Sequence, residues 1–360
     1  MAITIVSLID NLFVWSAFGF GILLNGILIH LIVRHTPVQM RIYSKILLQT
    51  CVTDILMLTM TLLFNPSNVL TEKGETEMFV HGMVTIKGVE NRIWNLLALT
   101  FWIFLVYVSM FGYVSQFIFR YFVIVREKII SSLTYFLLLF LMLLFPFAYC
   151  VNYFICFFPP ADHAILDDKS VAAILGINLD DQIILAGYSF NDVRVTIAYC
   201  YIIIICTFAY LIMFLLAFRI KQFLDIKSKF VSSSSEITKK MIEMNKQVSR
   251  NLLVQASMPL IIYFSVLFYC VFLIFKIDPQ GLNWLQFYNL LAAIPMFLPL
   301  ALNPIVSICT INYYRLNFIS YVKRFVKCIK SLFRLKIDQQ NVNVVNTPQQ
   351  QPTNWAIIVN

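Results

Sequence analysis

The chain has 360 residues, 60% of them hydrophobic and only 12% charged, with 33 Phe and a formal net charge of +9. Soluble domains carry roughly a quarter charged residues, so the composition argues against a soluble enzyme or binding module and for one polytopic membrane domain. In a soluble protein the positive charge would suggest nucleic acid; here its position along the chain assigns it to a membrane surface, and no nucleic-acid partner is expected.

A membrane helix needs about 20 predominantly apolar residues. The N-terminus lacks the basic region and cleavage site of a signal peptide, so the first apolar block, 11–33, is expected to stay as a signal-anchor helix. It carries Asn25 and His30 and is closed by "RHTPVQMR". The second span, 43–65, holds Asp54. The third, 93–119, ends in "QFIFRYFVIV", where Arg120 stands alone among apolar and aromatic residues. The fourth, 131–157, contains Pro146. The loop 158–192 after it is rich in Asp but lacks the oxygen spacing of a calcium loop, and reads as a solvated rim. The fifth span is 193–218.

Between it and the sixth span lies "KSKFVSSSSEITKKMIEMNKQVSR", within the basic loop 219–250. Two readings stay open for this loop: a solvated linker, or helical extensions of both spans that offer a docking face. The sixth span, 251–275, holds Gln255 and Pro259; the seventh, 284–310, holds Asn303 and Pro304. Residues 311–337 alternate apolar and cationic residues like a helix lying on an anionic leaflet. Cys328 there is a candidate for lipidation. The Asn/Gln-rich residues 338–360 read as a disordered tail. The eight cysteines show no metal or disulfide spacing.

Cation counts orient the spans. The loops after spans one, three and five, with the tail, carry 21 of the 27 Lys and Arg; the other side carries six. Cytosolic loops are the basic ones, so the N-terminus is expected outside and the C-terminus in the cytosol. The fold class is all-α, a seven-transmembrane bundle over 1–310.

Ionisable groups at membrane depth are costly and mark functional sites. Asp54 is the leading one, with Asn25 and Asn303 as candidate partners, read either as an inter-helix clamp or as a switch or ion site. No HExxH, GxSxG or phosphate loop is present, so the chain does not read as an enzyme, and no cofactor or metal centre is expected.

Several segments together resemble the nematode class-d serpentine chemoreceptors or close relatives in the Str superfamily. "LLNGILIHLIVRHTPVQMRIYSKILLQTCVTDIL" is similar to their first hairpin, with Asn in span one and Asp in span two. "FIFRYFVIV" resembles their aromatic-Arg-Tyr at the end of span three, "NKQVSRNLLVQASMPLIIYFSVLFY" their sixth span, and "ALNPIVSICTINYYR" their seventh. The resemblance implies a rhodopsin-like G-protein-coupled receptor for small environmental molecules in sensory neurons.

Its implied partners are a heterotrimeric G protein, a small-molecule ligand and the bilayer, with a receptor dimer left open. The implied place is the plasma membrane of sensory cilia. Arg120, Tyr121, Arg219 and Lys246 are then expected to couple to the G protein. Asp54, Asn25, Pro259, Asn303 and Pro304 are expected to form the activation switch. Ligand contacts are sought at Trp94, Asn95, Tyr188, Tyr199, Tyr269 and Tyr288. The stretch "TIKGVENRIWNLL" has no Cys, so no disulfide is expected from span three to the outer loop. Phe119 precedes Arg120 where an acid is usual, which leaves Glu243 as substitute partner. The alternative is a seven-helix transporter or ligand-gated channel subunit. An N-terminal epitope tag should be labelled on intact cells; labelling only after permeabilisation would contradict the receptor topology.

Overall fold

Backbone polar groups in hydrocarbon must be paired within their own segment, and the apolar blocks accordingly form helices. The computed structural model describes residues 2–37, 41–70, 76–80, 82–84, 86–128, 130–158, 165, 183–188, 192–230, 236–274 and 299–327. It divides into two units, Met1–Tyr314 and Arg315–Asn360.

The first unit contains α1 (Ala2–His35), α2 (Arg41–Phe64), α3 (Arg92–Arg120), α4 (Ser132–Cys156), α5 (Val193–Phe230) and α6 (Glu236–Ile274). The short apolar helix α7 (Pro299–Thr310) follows, then the start of α8 (312–327). Among the described residues five segments, one in each of α1 to α5, are long and apolar enough to cross a membrane. The outer ends of the expected sixth and seventh spans fall in 275–298, outside the described residues.

The helix α3 is the hub, packing against α2, α4, α5 and α6. Its run Met110–Phe117 is buried without interruption, as expected of a helix surrounded on all sides. α1 meets α2 where Gly21 lies against Leu58: a Cβ at Gly21 would collide with the Leu58 side chain. Leu133, Phe140 and Ile155 of α4 and Phe208 and Phe218 of α5 are exposed, the apolar surface that lipid covers. α4 begins at Ser131, whose hydroxyl accepts the Thr134 N–H at 3.2 Å and so supplies one of the helix's unpaired donors with a partner.

Three features differ from the sequence reading. The loop 219–250 is helical through Phe230 and again from Glu236, so the helical-extension reading describes it better than a linker. Immediately after Arg120, α3 widens into a π-helical turn, Tyr121–Val125, closed by Arg126 N–H to the Tyr121 carbonyl at 3.2 Å. The outer loops also add a small antiparallel sheet to the helical bundle: β1 (Pro66–Leu70), β2 (Thr76–Val80) and β3 (Leu185–Tyr188), in the order β1-β2-β3. Pro66 pairs with Val80 and Phe79 with Leu185. The end of the loop 158–192 is therefore no solvated rim: Ile183, Ile184, Leu185 and Ala186 are buried, because apolar strand residues outweigh the neighbouring acids.

Asn95 fastens this sheet to α3, its Nδ2 donating to the Ile184 carbonyl at 2.8 Å. Tyr153 Oη of α4 donates to Met78 Sδ at 2.8 Å. In the second unit residues 315–327 are helical, with Leu316, Ile319 and Phe325 exposed beside a groove lined by Lys323, Arg324 and Lys327. Cys328 and the tail 338–360 lie outside the described residues. Asn95→Leu should destabilise the purified protein by about 1–3 kcal/mol, since it leaves a buried carbonyl without its donor; thermal unfolding in detergent measures it.

Candidate functional site

Two polar centres lie inside the apolar bundle. The first is built on Asp54, fully buried on α2. Asn303 of α7 donates its Nδ2 to Asp54 Oδ2 at 3.0 Å. Asn25 of α1 does not reach the carboxylate; its Nδ2 donates to the carbonyls of Gly21, at 2.9 Å, and Leu300, at 3.2 Å. It thereby clamps α1 to α7. Asp54 Oδ1 and Asn25 Oδ1 are buried without a hydrogen-bond partner, and the Tyr113 hydroxyl faces the Asn303 side chain close to Asp54. Unsatisfied oxygens around a single-donor carboxylate are chemistry for ordered water or a hard cation. No cluster of three or more His, Cys, Asp or Glu that could hold a metal occurs among the described residues.

The second centre is Arg120, the last residue of α3 and only 4% exposed. Its Nη1 donates to the main-chain carbonyl of Val248 on α6 at 2.5 Å. Its guanidinium carbon stands 5.3 Å from the centre of the Tyr43 ring of α2, a cation–π contact. Nε is buried and unpartnered. Beside it a cavity of about 10 Å³, lined by Gln116, Asn251 and Gln255 among others, has room for about one water.

Glu243 is not the partner expected of it. It accepts from Gln247 Nε2 at 3.3 Å, one turn further out on the same helix. The carbonyl wins because it is already at the helix contact, whereas a carboxylate would have to be desolvated to reach it.

Around Arg120 further side-chain bonds tie the inner ends of the helices. Gln116 Nε2 donates to Thr50 Oγ1 at 3.1 Å, and Tyr135 Oη donates to Gln49 Oε1 at 2.5 Å, joining α3 and α4 to α2. Tyr121, one residue beyond Arg120, turns onto the π-helical segment and faces Arg126 at 5.7 Å. Arg219 is exposed on α5. Lys246 is paired rather than free, with Nζ 3.4 Å from Asp225 Oδ1 and 3.2 Å from Ser228 Oγ.

In the loop after α3, Glu127 adopts a left-handed backbone, φ 50°, and meets Lys227 Nζ at 2.6 Å. That lysine holds the Glu127 carboxyl below the usual carboxylate range. The pair is complete above the lowered pKa and lost as pH falls through it, so it stands at cytosolic pH.

The expected ligand contacts do not converge. Trp94 is 64% exposed and points away from the bundle, whereas Asn95 is buried on the sheet contact. Neighbouring helix positions lie about 100° apart, so the two cannot line one pocket. Tyr199 is half-buried and edge-on to Phe157 at 6.4 Å. Tyr188 pairs with Thr76 in the sheet. The side chains of Tyr188, Tyr269 and Pro259 and the whole of Tyr288 fall outside the described residues. Pro304 is buried on α7 beside Asn303. Sequence reasoning named neither Tyr43 nor the Val248 carbonyl as a partner of Arg120; a main-chain oxygen leaves no residue-type signal.

Removing the donor to a buried carboxylate costs more than neutralising the acid. Asn303→Leu should therefore lower thermal stability by about 2–3 kcal/mol, and by more than Asp54→Asn does; parallel melting of the two purified variants decides it.

The crystal structure of squid rhodopsin superposes with a TM-score of 0.59 at 13% identity, over 89% of this chain and 86% of that one. That likeness shows the seven-transmembrane fold. A comparison with curated proteins finds no match. A family model described as serpentine type 7TM GPCR chemoreceptor Srd matches residues 11–320. The chain belongs to the Srd family of seven-transmembrane serpentine chemoreceptors.

Proposed function

We propose that this receptor binds a small extracellular molecule and thereby shifts to a state that admits a heterotrimeric G protein at its cytosolic end, in the plasma membrane of sensory cilia. The observation that carries the reading is Arg120, a buried cation whose hydrogen-bond acceptor lies on another helix, α6. A hydrogen bond to a charged group is worth about 1.5–3 kcal/mol, or roughly a ten- to a hundredfold bias toward the closed arrangement. An activating ligand needs at least that much differential affinity for the open one.

Opening moves α6 off α3, and the guanidinium exchanges the Val248 carbonyl for acceptors on the G protein. Tyr121 and the inner ends of α5 and α6, with Arg219 and Lys246, flank the opened crevice. Pro259 and Pro304 remove backbone hydrogen bonds from α6 and α7 and make them the bending points. The Asp54–Asn303 contact ties α2 to α7 and registers their relative movement, with Asn25 holding α1 to α7. The ligand is sought between the outer halves of the helices, with Tyr199 on α5 as a candidate contact.

Cells expressing the receptor with a promiscuous Gα, screened with a panel of volatile and water-soluble small molecules, should give a calcium response to at least one. Arg120→Ala should abolish that response while surface expression stays intact. An unchanged response would remove Arg120 from coupling.

A further inference from the structure

The helix α6 carries Gln247, Asn251 and Gln255 at four-residue spacing, which places all three on one stripe. Each meets the chain of α7 or the start of α8. Gln247 Oε1 accepts the Asn312 N–H at 3.1 Å, one of the donors that a helix start leaves unpaired. Asn251 Oδ1 accepts from Thr310 Oγ1 at 2.8 Å, and its Nδ2 donates to Ser307 Oγ at 3.4 Å and to Gln255 Oε1 at 3.1 Å. Gln255 Nε2 donates to Ser307 Oγ at 3.0 Å and to the Asn303 carbonyl at 3.3 Å. Asn251 and Gln255 are each 2% exposed, so bulk water does not reach these bonds.

Val248, whose carbonyl holds Arg120, lies between the first two rungs. An in-helix carbonyl already accepts one N–H and keeps a second lone pair for another donor. Its usefulness to Arg120 therefore depends on where the α6 backbone is placed, not on the identity of residue 248. The far end of the ladder reaches Asn303, which is the donor to Asp54. The contacts run unbroken from Asp54 through Asn303, Gln255 and Asn251 to the turn of α6 that closes on Arg120.

We infer that Gln247, Asn251 and Gln255 form a carboxamide ladder that positions α6 against α7 so that the Val248 carbonyl is presented to Arg120, and that this ladder sets the receptor's basal activity. These are positioning residues, and the inference rests on the coupling role proposed for Arg120. Carboxamides suit the task because each offers a donor and an acceptor without the desolvation cost of a charge. Their modest strength in membranes leaves the closed state reversible.

The test is Asn251→Leu and Gln255→Leu in the full-length purified receptor, each compared with Ser257→Ala. Ser257 lies on the exposed face of α6, and among the described residues its hydroxyl donates to the Val254 carbonyl of its own helix. Two readouts are taken: receptor-driven nucleotide exchange on a heterotrimeric G protein without added ligand, and amide hydrogen exchange of every helix, segment 236–256 of α6 above all, without G protein.

Asn251→Leu is expected to raise basal nucleotide exchange on the order of three- to tenfold, the range of interhelical bonds in membranes. It should speed hydrogen exchange in α6 and α7 while α1 to α4 stay protected. Thr310→Val should act in the same direction and add little to Asn251→Leu, since both remove one contact. Ser257→Ala should change neither readout.

Unaltered protection of α6 in both ladder variants overturns the inference, as does a loss of protection spread evenly over all helices, which would mark a merely structural role. Faster local exchange with unchanged nucleotide exchange keeps the positioning of α6 but overturns the ladder's hold on basal activity; the coupling reading beneath it falls only if Arg120→Ala also leaves the ligand response unchanged.

Discussion

A guanidinium buried at the inner end of a central helix must find acceptors, and here the acceptor is a main-chain carbonyl on α6. The arrangement of the cytosolic half follows from that constraint. An acid beside Arg120 on its own helix would satisfy the charge whatever α6 did. With Phe119 in that place, satisfaction of the charge and approach of α6 to α3 become one event. Tyr43 contributes a ring face from α2, which tolerates small displacements better than a directional bond does. The cation is thus held on one side by a contact that must break when α6 moves and on another by one that can persist.

The outer half is built differently. The three-stranded sheet joins the loop after α2 to the loop before α5, and Asn95 and Tyr153 fix it to α3 and α4. Beneath it the core is aromatic and closely packed, with Tyr153 stacked on Phe157 at 4.1 Å. Packed apolar interiors yield little, whereas buried polar centres with unsatisfied atoms, such as those around Asp54, have alternative arrangements at small cost. A packed outer cap over a polar, rearrangeable interior suits the proposed function, in which a ligand acts on one face and a G protein on the other.

Much of this was legible in the sequence, for reasons of medium. The first five spans were visible because hydrocarbon imposes a length and forbids charge, and the direction expected of them rests on Lys and Arg falling 21 to six between the two sides. Asp54 and Arg120 stood out because charges at that depth are rare. The outer sheet was not legible: its strands are four or five residues long, and the acids of the intervening loop masked the apolar Ile183–Ala186. Glu243 attracted attention as an acid near the base of the sixth span, when the partner was a backbone oxygen that no residue type announces. Trp94 and Asn95 were both named as ligand contacts, although helical geometry sends them to different faces. The four-residue spacing of Gln247, Asn251 and Gln255 was present to be read; what gives it meaning, the facing Ser307 and Thr310, required the fold.

The central claim is that this chain turns movement of α6 away from Arg120 into activation of a G protein. Its most direct test is the rate of GDP release from a purified heterotrimeric G protein with a promiscuous Gα, driven by receptor reconstituted in bilayer nanodiscs. The account predicts that the wild-type receptor accelerates release and that Arg120→Gln, equally folded, does not. Equal acceleration by both, or none by the wild-type receptor together with its activating ligand, would contradict it.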